Sequence, residues 1–150
     1  PAAVSGQPQK YTSRYIDVPN SPQYCFGYGL GYTTFGYSDL RVLTPAAKLG
    51  DEVRVAVRVT NTGGRDGEEV VQLYVRDLIA SVTRPVRELK GFEKVMLRAG
   101  ESREVTFTLT PDDLSFWRLD NKWGQEPGDY HVWAGHDSDC TLGGSFRITE

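Results

Sequence analysis

The chain has 150 residues, 39% hydrophobic and 25% charged, which is the composition of one globular domain able to bury a core. A net charge of −3 gives no basic footprint for nucleic acid, and no apolar run approaches the roughly 20 residues of a membrane helix. Neither a nucleic-acid nor a membrane partner is expected.

No basic-then-apolar leader opens the sequence, so no signal peptide is read here. The first residue is Pro1 rather than Met, which fits a cut domain or a processed product. Cys25 and Cys140 are the only cysteines. Two partly buried free thiols are the simpler expectation; an oxidising compartment would permit a disulfide between them. There is no CxxC and no set of four cysteines, so no structural zinc site is expected.

In chain order, "PAAVSGQPQKYTSRYIDVPNSPQY" has no sustained period but holds more aromatics than a free disordered tail. It reads as a segment ordered against a partner surface. "CFGYGLGYTTF" follows, too rich in glycine for a strand or a helix. It reads as a shaped, irregular linker.

Period-two alternation begins with "SDLRVL" and is clearest in "VRVAVRVTN". There Val53, Val55, Val57 and Val59 share one face of a half-buried antiparallel strand. "NTGGRDG" is turn chemistry, and it predicts a hairpin into the next strand, "EEVVQLYVRD", with Val71, Leu73 and Val75 inward. "RPVRELKGFEKVML" is extended. Its apolar phase slips at Gly91, which predicts a bulge. "REVTFTLT" points Val105, Phe107 and Leu109 inward, and "GDYHVWAG" and "GSFRIT" complete seven strands with no helix longer than a turn. That pattern is an all-β sandwich.

One helical turn is expected at "TPDDLSFW", with Thr110 as N-cap, Pro111 first in the turn and Asp113 completing a capping box. Phe116 and Trp117 would then plug the open end of the sandwich.

No catalytic constellation stands out. Asp112 and Asp113 are adjacent, but Asp113 is committed to the cap, and two carboxylates converging across a cleft are not seen. Asp137 and Asp139 read as a solvated turn rather than a calcium loop. Glu68 and Glu69 read as surface charge. His131 falls on the outward phase of its strand. The glycines of "GYGLGY" lack the flanking strand and helix of a phosphate loop, so neither cofactor nor metal is expected. Trp123 and Trp133 are candidates for stacking on sugar rings; the plainer expectation is that Trp117 is core and the other two cover a sheet face or an interface.

Taken together, "KYTSRYIDVPNSPQYCFGYGLGYTTF", "NTGGRDGEEVVQLYVRD", "ASVTRPVRELKGFEKVMLRAGES", "TPDDLSFW" and "EPGDYHVWAGHDS" resemble the C-terminal fibronectin type III-like domain of glycoside hydrolase family 3 β-glucosidases. Five segments in the family's order make the resemblance specific, and it runs through nearly the whole chain. The family usually has Pro where Cys25 stands and Ser where Gly31 stands.

The resemblance implies a fibronectin type III-like (immunoglobulin-like) sandwich over 34–150. It implies that 1–33 are the tail of a preceding catalytic-body domain plus a linker. The family's nucleophilic Asp and acid/base Glu lie in domains outside these residues, and no residue here matches either motif. No catalytic residue is therefore transferred, and the chain alone is not expected to hydrolyse anything.

The expected partner is the catalytic body of such an enzyme, within one parent chain or as a second chain, with a homodimer contact as the alternative. The expected docking residues are Tyr11, Arg14, Tyr15, Tyr24, Phe26, Tyr28, Leu30, Tyr32 and Phe35. Arg14 is the polar anchor, since a guanidinium bridges carboxylates, and Arg84 and Lys90 are lesser candidates. A periplasmic or secreted location follows from the family alone. The alternative function is an independent carbohydrate-binding module using Trp123 or Trp133.

Overall fold

The computed structural model describes Asp17 and residues 21–150. Tyr11, Arg14 and Tyr15 lie outside the described residues. Ten strands run in the order β1 (Phe35–Val42), β2 (Ala46–Lys48), β3 (Val53–Asn61), β4 (Gly67–Asp77), β5 (Glu88–Leu97), β6 (Ser102–Leu109), β7 (Phe116–Trp117), β8 (Trp123–Gly124), β9 (Gly128–Gly135) and β10 (Gly143–Thr149). No helix occurs among the described residues. The seven strands expected from alternation are all present, joined by three short ones.

One sheet has the order β1-β3-β6, and the facing sheet has the order β2-β10-β9-β4-β5. Short β7 and β8 form a separate hairpin. Pairing is antiparallel throughout except β2 with β10, which is parallel. The core lies between the two sheets. Val53, Val55, Val57 and Val59 are fully buried on β3, Val71 and Leu73 on β4, and Val132 and Ala134 on β9. Each such valine or leucine contributes about 1.5–3 kcal/mol by leaving water. Tyr130 and Phe146 stack across β9 and β10 with ring centroids 5.0 Å apart.

The bulge forms where the apolar phase slips. Leu73 pairs with Gly91 but Tyr74 pairs with Leu89, so Lys90 is the extra residue. A Cβ on Gly91 would lie 2.9 Å from the Phe107 ring of the opposite sheet, which is why glycine fits there.

The hairpin expected at "NTGGRDG" does not form. β3 pairs with β1 and β6, whereas β4 pairs with β5 and β9, so the connection crosses from one sheet to the other. Asn61 explains how. Its fully buried amide donates from Nδ2 to the carbonyls of Arg65 (2.7 Å) and Leu97 (3.1 Å), and its Oδ1 accepts from the Thr33 hydroxyl (2.7 Å) and the Gly63 N–H (3.1 Å). Two donors and two acceptors are all satisfied. The turn is thereby fastened to the far sheet instead of folding β4 back along β3.

The capping box at Thr110 is present. The Asp113 N–H donates to Thr110 Oγ1 (3.3 Å) and the Thr110 N–H donates to Asp113 Oδ2 (2.7 Å). It closes a single turn that buries Leu114 and Phe116 but turns Trp117 outward at 66% exposure. Trp117 is therefore not core: on a two-residue strand, Phe116 and Trp117 must point to opposite faces.

Candidate docking interface

The outer face of β4 and β9 carries the site. Gln72 pairs with Gly135 and Tyr74 with Trp133, so these side chains stand together on the face turned away from the core. Gln72 is buried and fully employed. Its Nε2 donates to the Gly27 carbonyl (3.1 Å) and the His136 carbonyl (2.5 Å), while its Oε1 accepts from the Tyr74 hydroxyl (2.6 Å). Burial pushes the Tyr74 phenol up to about 12. The Ser138 N–H donates to the Phe26 carbonyl at 2.9 Å. Backbone carbonyls of the linker are thus latched onto the sandwich.

The latch needs a particular turn. The Tyr28 N–H donates to the Cys25 carbonyl (3.1 Å), with Gly27 at φ +83° in the third position. That is type II turn chemistry, which demands glycine there. A Cβ on Gly27 would lie 2.2 Å from Gln72 Oε1. Arg87 holds the receiving loop: its Nη1 donates to the carbonyls of Ser138 and Cys140 (2.7 Å each), and its guanidinium stacks 4.2 Å from the Trp133 ring centroid.

With its backbone held inward, the linker presents its side chains outward. Tyr24, Phe26 and Tyr28 are exposed, Leu30 is 89% exposed and Tyr32 is 95% exposed. The Tyr24 and Tyr28 rings lie 5.0 Å apart. Phe35 differs: it is partly buried and packs against the core from the start of β1. Beside this face a cavity of about 400 Å³ opens between the linker glycines and Glu68, Glu69 and His136. Glu69 is not simple surface charge. It is half-buried and accepts a 2.6 Å hydrogen bond from the Tyr37 hydroxyl, and desolvation raises its carboxyl above the ordinary range. Burial raises the Tyr37 phenol as well.

Arg84 and Lys90 are engaged within the chain. Both pair with Glu88, at 2.6 and 2.9 Å, and Arg84 also lies over the Phe116 ring. Asp137 is buried rather than solvated; its carboxylate accepts from the Asp139 N–H at 2.8 Å and lies 3.3 Å from His136 Nε2. It is a loop brace, and no metal-holding group of three His, Cys, Asp or Glu occurs among the described residues. His131 is exposed on β9, beside Trp133.

The tryptophans separate. Trp133 is half-buried, with Arg87 over its ring. Trp123 is exposed on the β7–β8 hairpin, its Nε1 donating to Asp112 Oδ1 (3.0 Å), and meets Trp117 edge-on at 5.9 Å and 66°. This hairpin leads into the start of β9, whereas the linker latch sits at its end, about 23 Å away at ~3.3 Å per residue.

Sequence reasoning missed Gln72, Arg87 and Asn61. A signal for Gln72 was present: in "VVQLYV" the outward positions hold Val70, Gln72 and Tyr74, with no charge. A strand whose outer face is also uncharged is covered on both sides.

Residues 69–138 match the family model described as the fibronectin type III-like domain. That stretch runs from β4 to the loop after β9, and over it the chain is similar to a fibronectin type III-like domain. Over 95% of its length it is 46% identical to a protein of Salmonella typhimurium named periplasmic beta-glucosidase, of which it covers 19%. Over 85% of its length it is 42% identical to a putative beta-xylosidase of Formosa agariphila, covering 17%. The crystal structure of a Listeria innocua beta-glucosidase in complex with glucose superposes over 95% of the chain and 20% of that protein, with a TM-score of 0.85 and 39% identity. The chain thus spans about a fifth of the length of the relatives it matches.

Proposed function

We propose that the chain is a non-catalytic accessory domain of a family 3 β-glucosidase, whose parent reaction is hydrolysis of terminal β-D-glucosyl residues. In this reading residues 34–150 form the sandwich, and residues 1–33 join it to the catalytic body. The observation that carries the proposal is the linker's division of labour. Its carbonyls at Phe26 and Gly27 bond to the sandwich while Tyr24, Phe26, Tyr28, Leu30 and Tyr32 face away from it. A contiguous exposed aromatic strip on an ordered segment marks an interaction surface, and tyrosines suit one because a ring buries area while its hydroxyl keeps a hydrogen bond. The relatives are about five times longer, so a docking partner within the parent chain is available. The periplasmic name of one relative supports a location outside the cytoplasm.

The test mixes this chain with a family 3 catalytic body lacking its third domain. Complex formation, and activity on an aryl β-glucoside or its thermal survival, should both rise. Absence of a complex at tens of micromolar would sink the reading. A homodimer through the same strip would appear instead as self-association that competes with docking.

A second reading, an independent carbohydrate-binding module, is favoured by one observation: Trp117 and Trp123 are both exposed at the end of β9 away from the linker. Retention on a β-glucan affinity gel that is lost in Trp117→Ala and Trp123→Ala supports it; migration unaffected by glucan removes it.

A further inference from the structure

We propose that Cys25 and Cys140 close into a disulfide that staples the linker to the outer face of the β4–β9 sheet. In the structure both thiols are free and partly buried, as the sequence led one to expect, and both belong to the corner built around Gln72 and Tyr74. Cys140 lies over Gly135, the cross-strand partner of Gln72: a Cβ placed on Gly135 would come within 2.3 Å of Cys140 Cβ and 3.2 Å of its sulfur. Cys25 begins the turn whose third residue, Gly27, packs on Gln72 and Tyr74. The two cysteine segments are also bonded directly, through the Ser138 N–H and the Phe26 carbonyl, one residue beyond Cys25 and two before Cys140. A disulfide requires Cα atoms within about 7 Å; the Ser138–Phe26 hydrogen bond sets the two segments side by side, and the swing of Cys25 about its turn closes the remaining gap.

Cys140 has one segment end held firmly by Arg87, so it is the fixed partner and Cys25 the one that closes. Nothing in the docking face uses either sulfur.

The reaction is a two-electron oxidation by a disulfide oxidant such as oxidised glutathione. One thiol loses its proton and attacks the oxidant, forming a mixed disulfide and releasing one reduced thiol. The second thiolate then attacks the protein sulfur of that mixed disulfide. The Cys25–Cys140 bond forms, the second reduced thiol leaves, and the two electrons reside on the oxidant. Burial raises both cysteines above their usual range, so closure accelerates as pH rises and the thiolate fraction grows. In the cell, the bond depends on the oxidising location offered above; in vitro oxidation tests it without that assumption.

The experiment takes the full 150-residue chain through a glutathione redox buffer and digests it without reduction. Expected are loss of both titratable thiols, a mass lower by about 2 Da, and a linked pair of peptides carrying Cys25 and Cys140. Chymotryptic cleavage within the linker aromatics should slow on the order of tenfold or more in the oxidised form, and Cys25→Ser should abolish that protection. Two thiols still titrating after oxidation, or a bond found only between two chains, overturns the proposal. A chain that closes in vitro but is recovered reduced from its native compartment refutes the location while leaving the bond chemistry standing.

Discussion

Gly27→Ala separates the latch from the sandwich it is fastened to. At φ +83° an L residue costs about 1–2 kcal/mol. The new Cβ would also stand 2.2 Å from Gln72 Oε1 and 2.8 Å from the Tyr74 hydroxyl, so the turn must lift. Lifting breaks the Gln72 bond to the Gly27 carbonyl and the Ser138 bond to the Phe26 carbonyl, each worth about 1 kcal/mol. The latch therefore loses about 3 kcal/mol, and its open population rises roughly 100-fold at 1.4 kcal/mol per decade. Amide exchange at Ser138 reads this directly and should accelerate by that factor, while the urea midpoint of the sandwich moves little because no core side chain is touched. Gly29→Ala is the control, since nothing lies within 4 Å of its added Cβ. A Ser138 rate within threefold of the parent in Gly27→Ala, or an equal acceleration in Gly29→Ala, would refute the assignment of the latch to this turn.

Asn61→Ala orphans the partners of a fully satisfied buried amide and should destabilise the sandwich by about 2–4 kcal/mol; urea denaturation checks it, and a cost under about 1 kcal/mol would mean the sheet crossover is held by other groups. Glu69 has a folded carboxyl raised above the unfolded value of about 4.3, so the folded state binds more protons there and this contribution to stability falls as pH rises through the window just above 4.3. Glu69→Gln should flatten the decline of the urea midpoint between pH 4 and 7, and an unchanged slope would assign it elsewhere, Asp77 being the next carboxylate raised by burial. Trp117→Ala should cost no more than about 1 kcal/mol in thermal unfolding because its ring is mostly exposed; a larger loss would mean that the edge-on contact with Trp123 props the hairpin.

The strand pattern was written in the sequence. Period-two runs such as Val53 to Val59 have one burial solution, because a slip of one residue would expose every valine, and all four are fully buried. The capping box at Thr110 and the slip at Gly91 were equally local, and each formed where its residues stand. What lay beyond local signals was partner choice. "NTGGRDG" can close a hairpin or cross between sheets. The decision rests on Asn61, whose amide reaches Leu97, 36 residues away, and Thr33, 28 residues away. Trp117 followed the same logic: its neighbour Phe116 took the buried side beneath Arg84. The glycines and aromatics of the linker announced an irregular segment that packs on something. Only the tertiary structure made its backbone the inward side, because Gln72 and Ser138 offer donors to its carbonyls. Periodicity determines which face of a strand leaves water; long-range hydrogen bonds determine which strands meet and which side of a linker remains in it.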